Sequence, residues 1–140
     1  MDPRNRRRIE TSFAAQAMMT TLGARLTHIA EGEVWITAPI LPGSKQQQGF
    51  GHAGLTFSIG DSAAGYAALS LLPLDSEVVT AEIKINLLAP ATGDQLRATG
   101  CVIKPGRRLV VVTSEVHAIT DDTETLIAIL QGTMVPVPSA

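Results

Sequence analysis

Gln46-Gln47-Gln48-Gly49-Phe50-Gly51-His52-Ala53-Gly54 runs without a break into a small-residue segment, residues 55–72, that carries a single acid, Asp61. The segment reads as a helix. Leu55, Ile59, Ala63, Tyr66 and Leu69 recur at helical spacing and mark one buried stripe, and Pro73 ends the run. A glycine-rich turn that opens a helix presents unpaired backbone N–H groups with the positive end of the helix dipole behind them, which suits an anion or a developing oxyanion. An isolated acid on a helix is ordinarily a solvated side chain. Here it stands among Gly60, Ser62, Ala64 and Gly65, and each interior glycine costs about 1 kcal/mol relative to alanine. A merely solvated face does not need such residues, whereas the close approach of another backbone or a ligand does.

Working outward, residues 6–20 show a helical pattern with Ile9, Phe13 and Ala17 on one stripe, closed by Leu22-Gly23. Residues 25–30 and 33–41 read as two strands joined by a tight turn at Glu31-Gly32, with Val34, Ile36 and Ala38 alternating against Glu33, Trp35 and Thr37. Beyond Pro73 everything reads as strand. In residues 78–88 Val79, Ala81, Ile83, Ile85 and Leu87 share one face, and Thr80, Glu82, Lys84 and Asn86 share the other. Residues 95–103, 109–120 and 125–137 continue the series across short turns, so four successive strands are expected to form an antiparallel meander. One long small-residue helix in the middle of this order points to an α+β fold, a curved antiparallel sheet wrapped around a central helix, with a helix at the N-terminus.

At 140 residues the chain is expected to be a single domain, 1–140. Thirteen acids against eleven bases, few aromatics and one short basic run, Arg4 to Arg8, argue against nucleic-acid binding; that run reads as the solvated start of a helix. No stretch has the length of a membrane span and no cleavable leader is visible, so a cytoplasmic protein is expected. The lone Cys101 reads as a strand side chain, and His28 and His117 have no acid or cysteine at ligand spacing, so neither a metal nor a cofactor is expected.

Several stretches, in order, resemble the hotdog-fold acyl-CoA thioesterases of the phenylacetate-degradation (PaaI-like) branch. They are Gly51-His52-Ala53-Gly54, the helix segment Ile59-Gly60-Asp61-Ser62-Ala63-Ala64-Gly65, Val79-Thr80-Ala81-Glu82-Ile83-Lys84-Ile85-Asn86-Leu87 with Ala89-Pro90, Gly106-Arg107-Arg108, and Gln131-Gly132-Thr133-Met134. The resemblance implies hydrolysis of an aryl- or medium-chain acyl-CoA by a homodimer, usually a dimer of dimers, without a cofactor. It places the nucleophile or general base on Asp61, the carbonyl-polarising N–H on Ala53 and a positioning side chain on Gln46, with Gln47 or Gln48 as substitutes; Thr80 matches an assisting hydroxyl. Gly54 and Gln48 join them as substrate contacts. Ala53 stands where the family usually has glycine, and Thr80 shares its parity with Glu82 and Lys84, so strict alternation turns it away from the core unless the strand bulges.

The residue types suit that chemistry. A carboxylate in a small pocket acts as a base toward water or attacks the carbonyl directly, and a helix-terminal N–H stabilises the oxyanion. Eight positions on one helix separate Ala53 and Asp61 by about 12 Å, so the two act on one carbonyl only if two chains meet. His52, at the helix mouth, fits a structural role better than that of a base, though it stays among the candidate catalytic residues. Arg107 and Arg108 in a turn, or alternatively Lys84, are candidates to grip the coenzyme A phosphates. Two other readings remain open here: a non-catalytic acyl-CoA sensor, and a hydratase or dehydratase on the same fold, for which His52 and Asp61 are the only possible pair.

Overall fold

Helix α3, Ala53–Leu69, organises the molecule. In the computed structural model, which describes residues 1–140, Leu55, Ile59, Ala63, Tyr66 and Leu69 are all buried, as their spacing predicts. The helix begins two residues earlier than expected and ends three earlier, passing through a turn before Pro73. Its small residues allow the sheet to approach closely: a Cβ on Gly60 would lie 2.9 Å from Leu130, and one on Gly100 would collide with the main chain of Ala63. Ser114 donates to the Gly60 carbonyl at 2.7 Å and ties sheet to helix.

Before α3 come helices α1 (Pro3–Ala15) and α2 (Ala17–Thr21), then strands β1 (Arg25–Ala30) and β2 (Glu33–Pro39); after it come β3 (Ser76–Leu87), β4 (Gln95–Lys104), β5 (Val110–Thr120) and β6 (Thr123–Pro138). The six strands form one antiparallel sheet in the order β1-β2-β4-β5-β6-β3, folded over α3. The expected hairpin at Glu31-Gly32 is present, with Gly32 at a φ of +77°. The expected four-strand meander is not: β4, β5 and β6 form one, but β3 pairs with β6 at the far edge. Both edges of β4 are taken by β2 and β5, so β3 cannot pair with its sequence neighbour and lies instead on the outer side of β6.

Alternation along β3 also breaks. Thr80 pairs with Met134 and Glu82 with Thr133, so Ala81 is an extra residue that inverts the facing of everything before it. Val78 therefore packs against the core with Ile83 and Ile85, while Val79, expected inside, is 50% exposed.

The N-terminal segment is two helices instead of one. Gln16 takes an extended conformation between them, and Ala17, expected on the buried stripe with Ile9 and Phe13, lies at the surface. The arginine run is solvated only in part. Arg4, Arg6 and Arg7 are exposed, but the Arg8 guanidinium donates to the carbonyls of Leu69, Leu72 and Pro73 at 2.7, 3.1 and 2.7 Å, and to Ser76 at 3.2 Å. A cation satisfying the last carbonyls of α3 is favoured by the helix dipole as well as by the hydrogen bonds.

Candidate active site

The mouth of α3 is built by the loop before it. His52 has an extended backbone and is the N-cap, its Nδ1 accepting the Gly54 N–H at 2.7 Å. Its carbonyl takes the N–H groups of Leu55 and Thr56 at 2.9 and 3.4 Å. Of the first N–H groups of the helix, that of Ala53 is left without a partner in the chain, at an exposed position. Ala53 is the first helical residue and does not have positive φ, so alanine meets no backbone strain at this position.

A cavity of about 540 Å³ lies in front of this N–H, bordered by Gln46, Gln48, Phe50, His52, Leu87 and Leu88 among others. Gln46 is half-buried and organises the loop: its Oε1 accepts the N–H of Gln48 and, at 3.3 Å, that of Phe50. Its Nε2 donates to the Gln48 side chain at 3.3 Å. Gln47 and Gln48 are exposed at the cavity's rim.

Asp61 occupies the middle of α3, half-buried, in a separate cavity of about 200 Å³. Thr80 donates its hydroxyl to Asp61 Oδ1 at 2.8 Å and also lies 3.3 Å from the Met134 sulfur. The bulge at Ala81 is what turns Thr80 toward the helix, against its sequence parity. Oδ2 of Asp61 has no partner in the chain. Gly65, where a Cβ would meet nothing within 4 Å, keeps this cavity open.

The chain thus brings Thr80 to Asp61 and Gln46, Gln48, His52 and Gly54 to Ala53, in two clusters that a single molecule keeps apart. Lys84 is in neither: it is exposed on the outer face of the sheet beside Glu82 and Asn86. Arg107 and Arg108 are exposed in the β4–β5 turn, with Arg107 near Leu71 and Pro73 beyond the C-terminal end of α3. Three side chains at the Asp61 cavity had no functional signal in the sequence. Gln16 stood in an apparently continuous helix, Tyr66 read as core and as a side chain compatible with an acyl pocket but with no stated role, and Ser62 read only as a small neighbour.

The architecture of a helix mouth with a free N–H, a mid-helix acid and an enclosing antiparallel sheet coincides with a sequence match. The family model described as thioesterase superfamily matches residues 48–125, from the loop before α3 through the β5–β6 turn. The chain belongs to the thioesterase superfamily. This thioesterase is similar to a thioesterase family protein from Silicibacter pomeroyi, at 38% identity and a TM-score of 0.94, over 96% of this chain and 99% of that one. It shares its fold with the PaaI protein of the E. coli phenylacetic acid degradation operon at 22% identity and a TM-score of 0.87, over 98% and 96% of the two chains. A thioesterase from Haemophilus influenzae, 19% identical, superposes with a TM-score of 0.82 over 91% and 87%. No curated protein sequence matches the chain. The fold is the hotdog fold of PaaI type, and the protein is a thioester hydrolase. No helix is long and apolar enough to cross a membrane.

Proposed function

We propose that this thioesterase hydrolyses acyl-CoA thioesters at a site shared by two copies of the chain, Asp61 from one and the Ala53 N–H from the other. The observation that carries the reading is the open side of α3. Gly54, Ser58, Asp61 and Gly65 fall at i, i+4, i+7 and i+11, and none of the four is buried by the chain's own sheet. A second α3 packed antiparallel along this line, with the two-fold axis near Phe57, sets Asp61 of each chain opposite Ala53 of the other. The free outer edge of β3, with Val79, Leu87 and, just after the strand, Leu88 each at least 50% exposed, supports a partner on the same side.

In that arrangement the thioester carbonyl oxygen accepts the Ala53 N–H, and negative charge developing there meets the helix dipole. Asp61, with Oδ1 held by Thr80, presents Oδ2. It either takes a proton from water, whose hydroxide adds to the carbonyl carbon, or attacks that carbon itself to give a mixed anhydride that water then opens. In both cases the C–S bond breaks, the coenzyme A thiolate leaves and is protonated, and the acid is released. His52, its Nδ1 committed to the Gly54 N–H, shapes the helix mouth. Antiparallel packing brings the C-terminal end of one α3 toward the N-terminal loop of the other, so Arg107 and Arg108 stand where the coenzyme A phosphates approach.

Thiol release from a panel of acyl-CoAs tests this reading. Asp61→Asn is expected to lower turnover by about a hundredfold or more while the fold survives, since it keeps shape and removes base or nucleophile. No thiol release from any acyl-CoA, or an Asp61→Asn enzyme within a few-fold of the parent, overturns it.

A further inference from the structure

A separate cavity, of about 470 Å³, opens at the C-terminal end of α3 and shares no lining residue with the Ala53 and Asp61 cavities. The 17 residues of α3 set it about 24 Å from the Ala53 N–H. Val110, 1% exposed, closes its inner side, and Leu71, Leu72, Pro73, Pro105 and Pro136 form its walls. Proline has a fixed φ and no N–H to offer, so these walls are apolar and stiff. The polar groups on the lining are few. The carbonyls of Leu72 and Pro73 already accept from Arg8, at 3.1 and 2.7 Å. What remains on the side chains is the Arg107 guanidinium and the Ser76 hydroxyl; neither has a hydrogen bond or an ion pair in the chain, and no acidic side chain lines the cavity.

We infer that this cavity is a binding site for a carboxylic acid with a medium-length aliphatic body, its carboxylate on Arg107 and Ser76 and its chain along the leucine and proline walls. A guanidinium presents two parallel N–H donors that match the two oxygens of a carboxylate, and the hydroxyl adds a further donor. The aliphatic body displaces water that the apolar walls hold poorly. A cation is repelled by Arg107, and a nucleotide finds neither an aromatic face on which to stack nor an amide or acid to read a base edge. The acids released by the proposed hydrolysis belong to the class that fits, so the site is one at which product is held; the binding itself does not depend on that reading.

Backbone amide NMR of the full chain, titrated with butanoate, hexanoate and octanoate, tests the inference, with octanol as the uncharged probe and inorganic phosphate as an anion without an apolar body. Octanoate is expected to shift the Gly106 and Ser76 amides saturably, and affinity is expected to rise about two- to fourfold per methylene along the series. Octanol and phosphate are each expected to bind about tenfold more weakly or worse. Arg107→Gln and Ser76→Ala, made separately so that one misfolded variant does not end the test, are expected to weaken octanoate by about tenfold and about threefold. Octanol or phosphate binding as tightly as octanoate, a response confined to Ala53, Gly54 and Asp61, parental affinity in the folded variants, or no response at all overturns the inference. No turnover is needed, so these outcomes decide the site whether or not any acyl-CoA is hydrolysed.

Discussion

Thr80 donates its hydroxyl to Oδ1 of Asp61 across 2.8 Å, from a strand position that strict alternation assigns to the opposite face. The extra residue at Ala81 makes the contact. A bulge at this point of β3 costs one ladder pairing and in exchange aims a donor at the acid, fixing which carboxylate oxygen is free.

Thr80→Val keeps the size of the side chain and removes the donor. It is expected to lower kcat by about tenfold or more with little change in KM, because a hydrogen bond to a charged group is lost where the chemistry occurs. Thr80→Ser is expected to recover most of the rate. Steady-state kinetics with any hydrolysed acyl-CoA checks both, and a Thr80→Val enzyme with parental kcat shows that the contact does not orient Asp61.

Ala53 occupies the first position of α3, where proline is well tolerated, and His52 before it has ψ 145°, which a following proline also accepts. Ala53→Pro is therefore expected to fold with a parental circular dichroism spectrum and to lose about 10²–10³ in kcat through deletion of one N–H. Ala53→Gly retains the donor and is expected to stay within a few-fold of the parent. Full activity in Ala53→Pro removes the oxyanion role from this residue.

The parts of the fold visible in the sequence are those set by local periodicity. The apolar stripe of α3 and the Glu31-Gly32 hairpin both follow from residue spacing, and Asp61 stood out because one acid among small residues is a local anomaly. What the sequence did not reveal depends on long-range pairing. The place of β3 is set by its pairing with β6, some fifty residues away in the chain, and the facing of Thr80 is decided by a single inserted residue; the adjacent apolar pair Val78-Val79 was the only local sign that alternation fails there. The break at Gln16 interrupts a pattern in which Ile9, Phe13 and Ala17 keep helical spacing, and its hydrogen bonds with Ser62 and Tyr66 are long-range contacts with no local signature.

Arg8 docks α1 onto the end of α3 through main-chain carbonyls, so its loss strands acceptors that water only partly reaches. Arg8→Ala is expected to cost about 2 kcal/mol in denaturant unfolding, and Arg8→Lys to recover little, because an ammonium does not reproduce the planar fork. An Arg8→Ala chain as stable as the parent means that solvent satisfies these carbonyls.

The central claim is that each site is completed by two chains, and subunit mixing measures it directly. Asp61→Asn and Ala53→Pro chains, each folded and each inactive, are combined under conditions that exchange subunits, and thiol release from an acyl-CoA is followed. A mixed dimer has one site with both lesions and one with neither, so activity is expected to return, up to half the parental rate per dimer. Hybrids that demonstrably form and stay inactive contradict a site shared between Asp61 of one subunit and Ala53 of the other.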